Sequence, residues 1–404
     1  MTTPSATDTD APARLINHLA RAAHTAPETV TGLIAVIRAD PRTFLPLIFS
    51  IARYGVGALD TAVAAVIKSL DLNYEELTKL DKMSPTNTDI LPYTALAVAE
   101  QRCLRAESNM HLAVAQRALG VQLGHVGRHR EALVATEQAV ELSRQLAADD
   151  PDTHTPTLAM ALQNLGTHLG EVGRRREGLT FSQEAVDLYR RLVTDDPDTH
   201  TPDLAGAVYN LGIQLGRAGR RREALAVSQE AVDLYRRLVA DDPDAYTSRL
   251  AMALETLGIQ LGEVGRRRDA LAVSQEAVDL YRHLMADDPD THTPRLASAV
   301  QNLGIRLGEV GQRREALAAF KEGTELFRQL VGNDPEVHTP GLAKALKNLG
   351  IHLAEAGRPQ EALAAAEEAV ELYTLLYTDL PEAYVDDLAS SRWLRDGLNM
   401  GGGT

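Results

Sequence analysis

One dipeptide recurs through most of the chain at a constant interval. One copy of Leu-Gly marks the same point of six successive units, each 46 residues after the last, at Leu119-Gly120, Leu165-Gly166, Leu211-Gly212, Leu257-Gly258, Leu303-Gly304 and Leu349-Gly350. The flanking sequence repeats too, and SQEAVDLYR stands unchanged at 182–190, 228–236 and 274–282. A repeat of this period predicts an array of small structural units, because each unit must stack on its neighbours to bury its apolar face.

Each unit is predicted to form two helices. In the third unit, apolar residues recur at helical spacing in a segment that ends at Gly219, a residue type that favours the left-handed cap of a helix C-terminus. The apolar residues of this segment are Leu204, Val208, Leu211 and Leu215. A second segment, from about Arg222 to the breaker Asp241-Asp242-Pro243, carries Leu225, Ala231, Leu234 and Leu238 on one face.

The stretch DDPDTHTP between units is interpreted as a loop. In the third unit it ends at Thr201-Pro202, a threonine suited to capping a helix and a proline suited to the first helical position. The loop carries the histidines His154, His200, His292 and His338. A metal site is not predicted there, because these side chains lie one unit apart and Tyr246 interrupts the series. A hydrogen-bonded loop residue is the preferred interpretation.

Composition agrees with closely packed helices. Hydrophobic residues make up 44% of the 404 residues and aromatic residues only 4%, so the core is predicted to consist of Leu, Ala and Val.

The single cysteine, Cys103, cannot form an internal disulfide, which favours a cytoplasmic protein. No signal peptide is predicted, and charges interrupt the most apolar stretch, 44–67. A net charge of −15 makes nucleic acids and anionic membranes unfavourable partners.

The units resemble tetratricopeptide repeats. The residues that carry the resemblance are Leu211-Gly212, the turn residue Gly219, and the small residues Ala224 and Ala231. The length of the unit, its DDPD stretch and the Asn-Leu of its first helix are most similar to the kinesin light chain type of repeat. The resemblance covers about residues 110–395. It implies an all-α fold, a right-handed α-solenoid of six helix-turn-helix repeats, and a protein-binding scaffold without enzymatic activity or cofactor. The excess of arginine over lysine favours a bacterial source with GC-rich codons.

The two ends of the chain depart from the repeat. Residues 1–10 are predicted to be disordered, 11–88 to form a helical segment, 89–108 a connecting helix, 109–380 the six repeats, 381–398 a capping half-repeat, and 399–404 a flexible tail. The helices expected before the repeats are Ala13–His24, Pro27–Ala39, Thr43–Tyr54, Ala58–Leu70 and about Leu91–Arg105. Trp393, in the half-repeat, can anchor a partner, but packing against the last helix pair is the preferred interpretation.

Two interpretations of the N-terminal segment stay open. It can cap the end of the array, which repeat proteins need for solubility, or it can be an independent helical adaptor domain. A helix-turn-helix is disfavoured, because residues 1–88 carry no cluster of basic residues that could face DNA.

The residues before each Leu-Gly are the candidate ligand contacts. The resemblance implies that first helices line a groove for an extended peptide or a partner helix, and that asparagine amides there can pair with the backbone of an extended peptide. An inter-helix hydrogen bond is the alternative role for these amides. The candidates are Gln163, Asn164, Tyr209, Asn210, Glu255, Gln301, Asn302, Lys347 and Asn348.

Charged residues also repeat, and they give a second hypothesis. Arginines stack near the turn between the two helices: Arg128, Arg130, Arg174, Arg175, Arg176, Arg220, Arg221, Arg222, Arg266, Arg267, Arg268, Arg313 and Arg314. Aspartate pairs such as Asp195-Asp196 and Asp241-Asp242 stack at the other edge. They can be solvated turn residues that complement helix dipoles. They can also join copies of the chain into an oligomer or filament. No nucleotide-binding, zinc or nucleophile motif occurs, so no catalytic site and no cofactor are predicted.

Overall fold

The structure, a computed structural model, describes residues 28–51, 57–83 and 91–401. All regular structure in these residues is α-helical, which confirms the predicted fold class. The helices before the repeats are α1 (Glu28–Ala39), α2 (Pro41–Ile51), α3 (Gly57–Ser69), α4 (Tyr74–Met83) and α5 (Pro92–Leu104). Those that follow are α6 (Asn109–His125), α7 (His129–Asp149), α8 (Pro151–Glu171), α9 (Arg175–Asp195), α10 (Pro197–Arg217), α11 (Arg221–Asp241), α12 (Pro243–Glu263), α13 (Arg267–Asp287), α14 (Pro289–Glu309), α15 (Arg313–Asn333), α16 (Pro335–Glu355), α17 (Pro359–Asp379) and α18 (Pro381–Gly401).

The helices form two compact units, residues 1–200 and 201–404. The first contains α1 to α5 and the first two repeats, α6–α7 and α8–α9. The second contains most of α10, its partner α11, and three further repeats, α12–α13, α14–α15 and α16–α17, followed by the single helix α18.

The described helices before the repeats lie where helices were predicted, and α4 is an additional helix. The helix expected at Ala13–His24 lies outside the described residues, and α4 was not predicted because its few apolar residues fall among charged ones. A buried carboxylate, that of Asp60 in α3, accepts hydrogen bonds from the backbone N–H groups of Tyr93 (2.8 Å) and Thr94 (2.7 Å) at the start of α5. Since α5 has no side-chain cap of its own, this remote aspartate satisfies its first free donors.

The same segment contacts the first repeat. Tyr74 in α4 stacks on His111 in α6 with ring centroids 4.2 Å apart, and the Tyr74 hydroxyl donates to the His111 carbonyl oxygen at 3.0 Å. Arg102 of α5, almost fully buried, pairs with Asp81 of α4. A cap on the array would make contacts of this kind, and the cap stays a prediction.

The junction between repeats differs from the predicted loop. In the junctions that contain an Asp-Asp pair, the second aspartate is the cap residue, as where the Asp242 carboxylate accepts from Ala245 N at 3.1 Å. The proline that follows is the first helical residue, so the Thr-Pro pair, such as Thr201-Pro202, lies inside the helix. The prediction that Thr201 caps the helix was wrong, because Asp196 already supplies a stronger cap one turn earlier, accepting from Thr199 N at 3.2 Å.

The turn within each repeat was predicted correctly. Gly219 has a φ of +74°, and Gly127, Gly173, Gly265, Gly311 and Gly357 take the same left-handed conformation. The Arg220 N–H donates to the Leu215 carbonyl oxygen at 2.9 Å, which is the long hydrogen bond of a Schellman cap.

The glycine of the Leu-Gly anchor is where the two helices of a repeat touch. A Cβ placed on Gly212 or Gly258 would lie 2.7 Å from the hydroxyl oxygen of Ser228 or Ser274, the serine of SQEAVDLYR. These serines are themselves buried. Small residues on both helices therefore set the spacing within the repeat.

A row of ion pairs joins the second helices of successive repeats. Arginine and glutamate side chains 40 residues apart pair as Arg144–Glu184 (2.9 Å), Arg236–Glu276 (2.8 Å), Arg282–Glu322 (2.9 Å) and Arg328–Glu368 (2.6 Å). The arginine closes the SQEAVDLYR motif and the glutamate is its third residue, so the repetition itself makes the ion-pair ladder.

We expect each ladder pair to contribute little on its own, because both side chains are exposed. Replacing Arg282 with alanine should reduce the free energy of unfolding by less than about 1 kcal/mol. Thermal melts of the variant and wild type at low and high salt would test this, and the difference should shrink at high salt. A larger loss that salt does not reduce would assign Arg282 a packing role instead.

Candidate functional site

The row of residues before the Leu-Gly anchors, called here the first-helix row, varies while its surroundings repeat. In the second unit its members at successive repeats are Tyr209, Glu255, Gln301 and Lys347. All but the buried Gln301 are partly exposed. By contrast, the packing alanines Ala205, Ala251, Ala297 and Ala343 of the same helices are identical and fully buried.

Glu255 is the centre of a polar cluster. The Tyr281 hydroxyl, from the second helix of the same repeat, donates to Glu255 Oε2 at 3.1 Å. The Asn302 amide nitrogen, from the next repeat, donates to Glu255 Oε1 at 3.2 Å. Burial raises the pKa of Glu255, and the two hydrogen bonds and the nearby Arg295 oppose that shift. The carboxylate therefore lies in a weakly solvated site with two fixed donors.

The neighbouring repeats place an aromatic residue at the position of Tyr281. Lys347 Nζ lies 5.5 Å above the Tyr373 ring and donates to Asp387 Oδ1 at 2.5 Å. Tyr235 and Tyr209 belong to one packed cluster, and burial raises the pKa of Tyr235 to about 12. Burial also raises the pKa of Tyr209, which shares a hydrogen bond with Thr256. Tyr209, Glu255 and Lys347 thus each lie beside a tyrosine of the repeated motif, whereas the repeat of Gln301 has Phe327 at that position.

The predicted asparagines have different environments. Asn302 is bonded to Glu255, as the inter-helix alternative expects. Within the described residues, Asn210 and Asn348 are partly exposed and their side chains form no hydrogen bond, while Asn164 Nδ2 is buried without a partner. Gln301 bonds inward, from Nε2 to the Phe320 carbonyl oxygen at 3.2 Å. Free amides for a ligand are therefore those of Asn210 and Asn348.

The arginines near the turns fall into two groups. An arginine directly before a second helix pairs with a carboxylate in the first turn of that helix, as in Arg174–Glu177 (2.7 Å) and Arg266–Asp269 (2.7 Å). Arg128 and Arg220 do the same with Glu131 and Glu223. Arg221 lies 3.8 Å from Glu263. In the part of the chain that the structure describes, the others form no ion pair: Arg130, Arg175, Arg176, Arg222, Arg267, Arg268, Arg313 and Arg314.

The histidines of the junctions belong to helices and not to loops. His154 and His292 lie in the first turns of α8 and α14, and their Nδ1 atoms are buried without a hydrogen-bond partner among the described residues. The interpretation of hydrogen-bonded loop residues was therefore wrong for these two. No three His, Cys, Asp or Glu side chains in the described ranges form a group that could hold a metal ion.

Four residues beside the first-helix row were not predicted from the sequence. They are Tyr235, Tyr281, Arg249 and Arg295. Tyr235 and Tyr281 belong to the repeated motif and so resemble core residues, which their burial also makes them. Arg249 lies 5.7 Å above the Tyr246 ring, and Arg295 acts on both Tyr281 and Glu255. The sequence did contain a signal for the arginines, because this position varies among repeats. It is arginine at 249 and 295 but Asp203 and Gly341 in two other repeats.

The helices are paired, their packing residues repeat, and the first-helix row varies. This arrangement defines a helical-repeat protein. Residues 204–244 match the family model described as tetratricopeptide repeat. Since the other units repeat the same motif, the chain is a tetratricopeptide-repeat protein. No helix among the described residues is long and apolar enough to cross a membrane. No curated protein matches the chain significantly.

Several solved structures are similar to the chain. BtubC (BKLC) from P. vanneervenii is 20% identical with a TM-score of 0.49, over 60% of this chain and 90% of that one. A putative kinesin light chain with nearly identical TPR-like repeats from Podosopora anserina is 15% identical with a TM-score of 0.44, over 56% and 98%. The APC/C hetero-tetramer Cut9-Hcn1 is 13% identical with a TM-score of 0.49, over 97% and 63%.

Proposed function

We propose that the chain is a protein-binding scaffold whose first-helix row binds an extended peptide. The observation that carries the proposal is the contrast between constant and varied residues. Packing positions such as Ala251 and Ala297 repeat without change, whereas the partly exposed Tyr209, Glu255 and Lys347 differ in chemistry. Variation at partly exposed positions of otherwise similar repeats is typical of a surface that recognises different side chains along a partner.

The contacts within the row favour a rigid binding surface. Glu255 is held by two donors, and Lys347 by Asp387 and by Ser390 Oγ at 3.3 Å. Because these side chains are already ordered, binding loses less conformational entropy than it would with free ones. Asn210 and Asn348 supply amides that can donate to and accept from a peptide backbone.

The proposal is tested by replacing the two free amides. A peptide selected from a random library on the wild-type chain should bind the double variant Asn210→Ala/Asn348→Ala about five- to a hundredfold more weakly, since each lost hydrogen bond costs about 0.5–1.5 kcal/mol. Calorimetric titration would give the affinities. Melting should change little, because neither amide is bonded within the described chain.

A matched control is available on the second helices. Gln229 and Gln275 are exposed amides bonded only to Asp233 and Asp279 of their own helices, so Gln229→Ala/Gln275→Ala should leave affinity unchanged. Equal affinity of the asparagine variant and the control would contradict the proposed surface. A lowered melting temperature with unchanged affinity would support the inter-helix alternative.

Self-assembly through the arginines and aspartates remains the second candidate function. It rests on the exposed arginines without ion pairs, such as Arg222, Arg267 and Arg268. Part of the charge that this hypothesis needs is already compensated, because Arg174, Arg220 and Arg266 pair within their own repeats. If self-assembly is the function, Arg267→Glu/Arg268→Glu changes the mass of the oligomer in solution and the salt dependence of that mass. The asparagine variant changes neither.

A further inference from the structure

The terminal helix α18 exposes an apolar stripe. Trp393 and Met400 are each 78% exposed and Val385 48%, and Ala389 is exposed as well. These residues recur at the spacing of one helix face. The expectation that Trp393 packs against the last helix pair was therefore wrong, because the side chain points away from it.

The position of Ala389 explains why the stripe is exposed. In the preceding repeats of the same unit the matching residues are Ala343, Ala297, Ala251 and Ala205, all with no exposed surface. Ala343 is covered by Val370 and Tyr373 of the second helix of its repeat and by Tyr384 and Leu388 of the next first helix. Among the described residues no helix takes either place beside α18, so the described helices leave this face uncovered.

We propose that a second copy of this chain covers the stripe, with the two α18 helices antiparallel and crossing at Ala389. A small residue at the crossing lets the helices approach closely. Arg392, three residues after the crossing, would then face Asp386 of the second copy, three residues before it. Trp393 would pack on Val385 of the second copy. Each contact occurs twice, as a two-fold interface requires.

Charge on the stripe selects this orientation and this occupant. The exposed acidic residues Glu382 and Asp386 precede the crossing, and the exposed Arg392 follows it. A parallel pair would place Arg392 against Arg392 and Asp386 against Asp386, which repels. In the antiparallel pair only Glu382 and Asp396 face a like charge, at the outer ends, where solvent screens it.

Trp393 gives a direct measurement, because it is the only tryptophan in the chain. Its fluorescence should shift to shorter wavelength as the protein is concentrated, and the mass by analytical ultracentrifugation should rise from monomer to dimer over the same range. Ala389→Arg should weaken the association at least about tenfold, by placing two cations at the crossing. The matched control Ala383→Arg, exposed on the same helix but off the stripe, should dimerise as wild type does.

A charge exchange tests the geometry without removing the apolar residues. Arg392→Asp and Asp386→Arg should each weaken self-association by about tenfold or more, since each brings like charges together at both contacts. Mixed in equal amounts, the two variants should form a heterodimer, because both contacts are then complementary. Helix content by circular dichroism would show that the variants are folded.

Three results would overturn the proposal. They are a monomer with a solvent-exposed tryptophan at every concentration, a dimer that Ala389→Arg leaves intact, or charge variants that fail to associate with each other while the wild type dimerises. The peptide-binding experiment is independent of all three, because Asn210 and Asn348 lie on other helices.

Discussion

Replacing Gly178 with alanine is expected to lower the melting temperature, although five of the six repeats have alanine at this position. Alanine in place of glycine favours a helix by about 1 kcal/mol. A Cβ at Gly178, however, would lie 2.5 Å from the backbone carbonyl oxygen of Gly166 on the facing helix. Neither backbone can yield locally, so overpacking of about 1–3 kcal/mol outweighs the gain in helix preference.

The size of this effect can be measured against a matched variant. Gly332→Ala, in α15, adds the same methyl group where nothing lies within 4 Å. We expect a slight rise in melting temperature for Gly332→Ala and a fall of several degrees for Gly178→Ala in differential scanning calorimetry. A rise in both melting temperatures would mean that α8 and α9 separate easily. The alanine found at this position in the other repeats would then predict the effect better than the contact between Gly178 and Gly166.

Removing the hydroxyl of Tyr281 is the second change with a large expected effect. Tyr281→Phe keeps the ring, which is fully buried, but leaves Glu255 Oε2 without its donor. A poorly solvated carboxylate that loses a hydrogen bond costs about 1–3 kcal/mol. Denaturant unfolding at neutral pH should show this loss. Tyr373→Phe serves as control, since its ring contacts Lys347 and its hydroxyl has no bond to a carboxylate in the described residues.

The protonation of Glu255 gives the same cluster a pH dependence. Burial raises its pKa above the usual value of 4.5 in the folded chain, so the folded state holds this proton more tightly than the unfolded state does. Stability from this group is therefore present at pH values below 4.5 and is lost as pH rises through the folded pKa. Glu255→Gln, which can still accept from Tyr281, should gain stability relative to wild type as pH rises from 4 to 7. A stability difference that does not change with pH would contradict the burial of this carboxylate.

The sequence was sufficient for the repeat but not for its boundaries. Leu211-Gly212 and Gly219 fix the helix contact and the turn because each needs a small residue or a left-handed backbone that few residue types supply. The helix start was misplaced because Asp196-Pro197 and Thr201-Pro202 both resemble a capped start, and only the hydrogen bond to Thr199 N decides between them.

The site was predicted in part, for a related reason. Asn302 and Glu255 were found from their place before Leu-Gly, yet the bond between them joins residues 47 apart. A repeated residue such as Tyr281 has the sequence pattern of a core residue. Its hydroxyl forms a polar contact only because Glu255 lies opposite. Trp393 was misjudged because packing partners of a terminal helix cannot be counted from the sequence alone.

The ion-pair ladder has a consequence for how such a gene can change length. Its arginine and glutamate recur every 46 residues, but the first repeat has Gln138 in place of the glutamate and the sixth has Thr374 in place of the arginine. Loss or duplication of any whole unit between these positions leaves every remaining arginine with a glutamate 40 residues later. Unequal recombination between the near-identical segments would therefore yield shorter or longer chains in which no ladder charge is left unmatched.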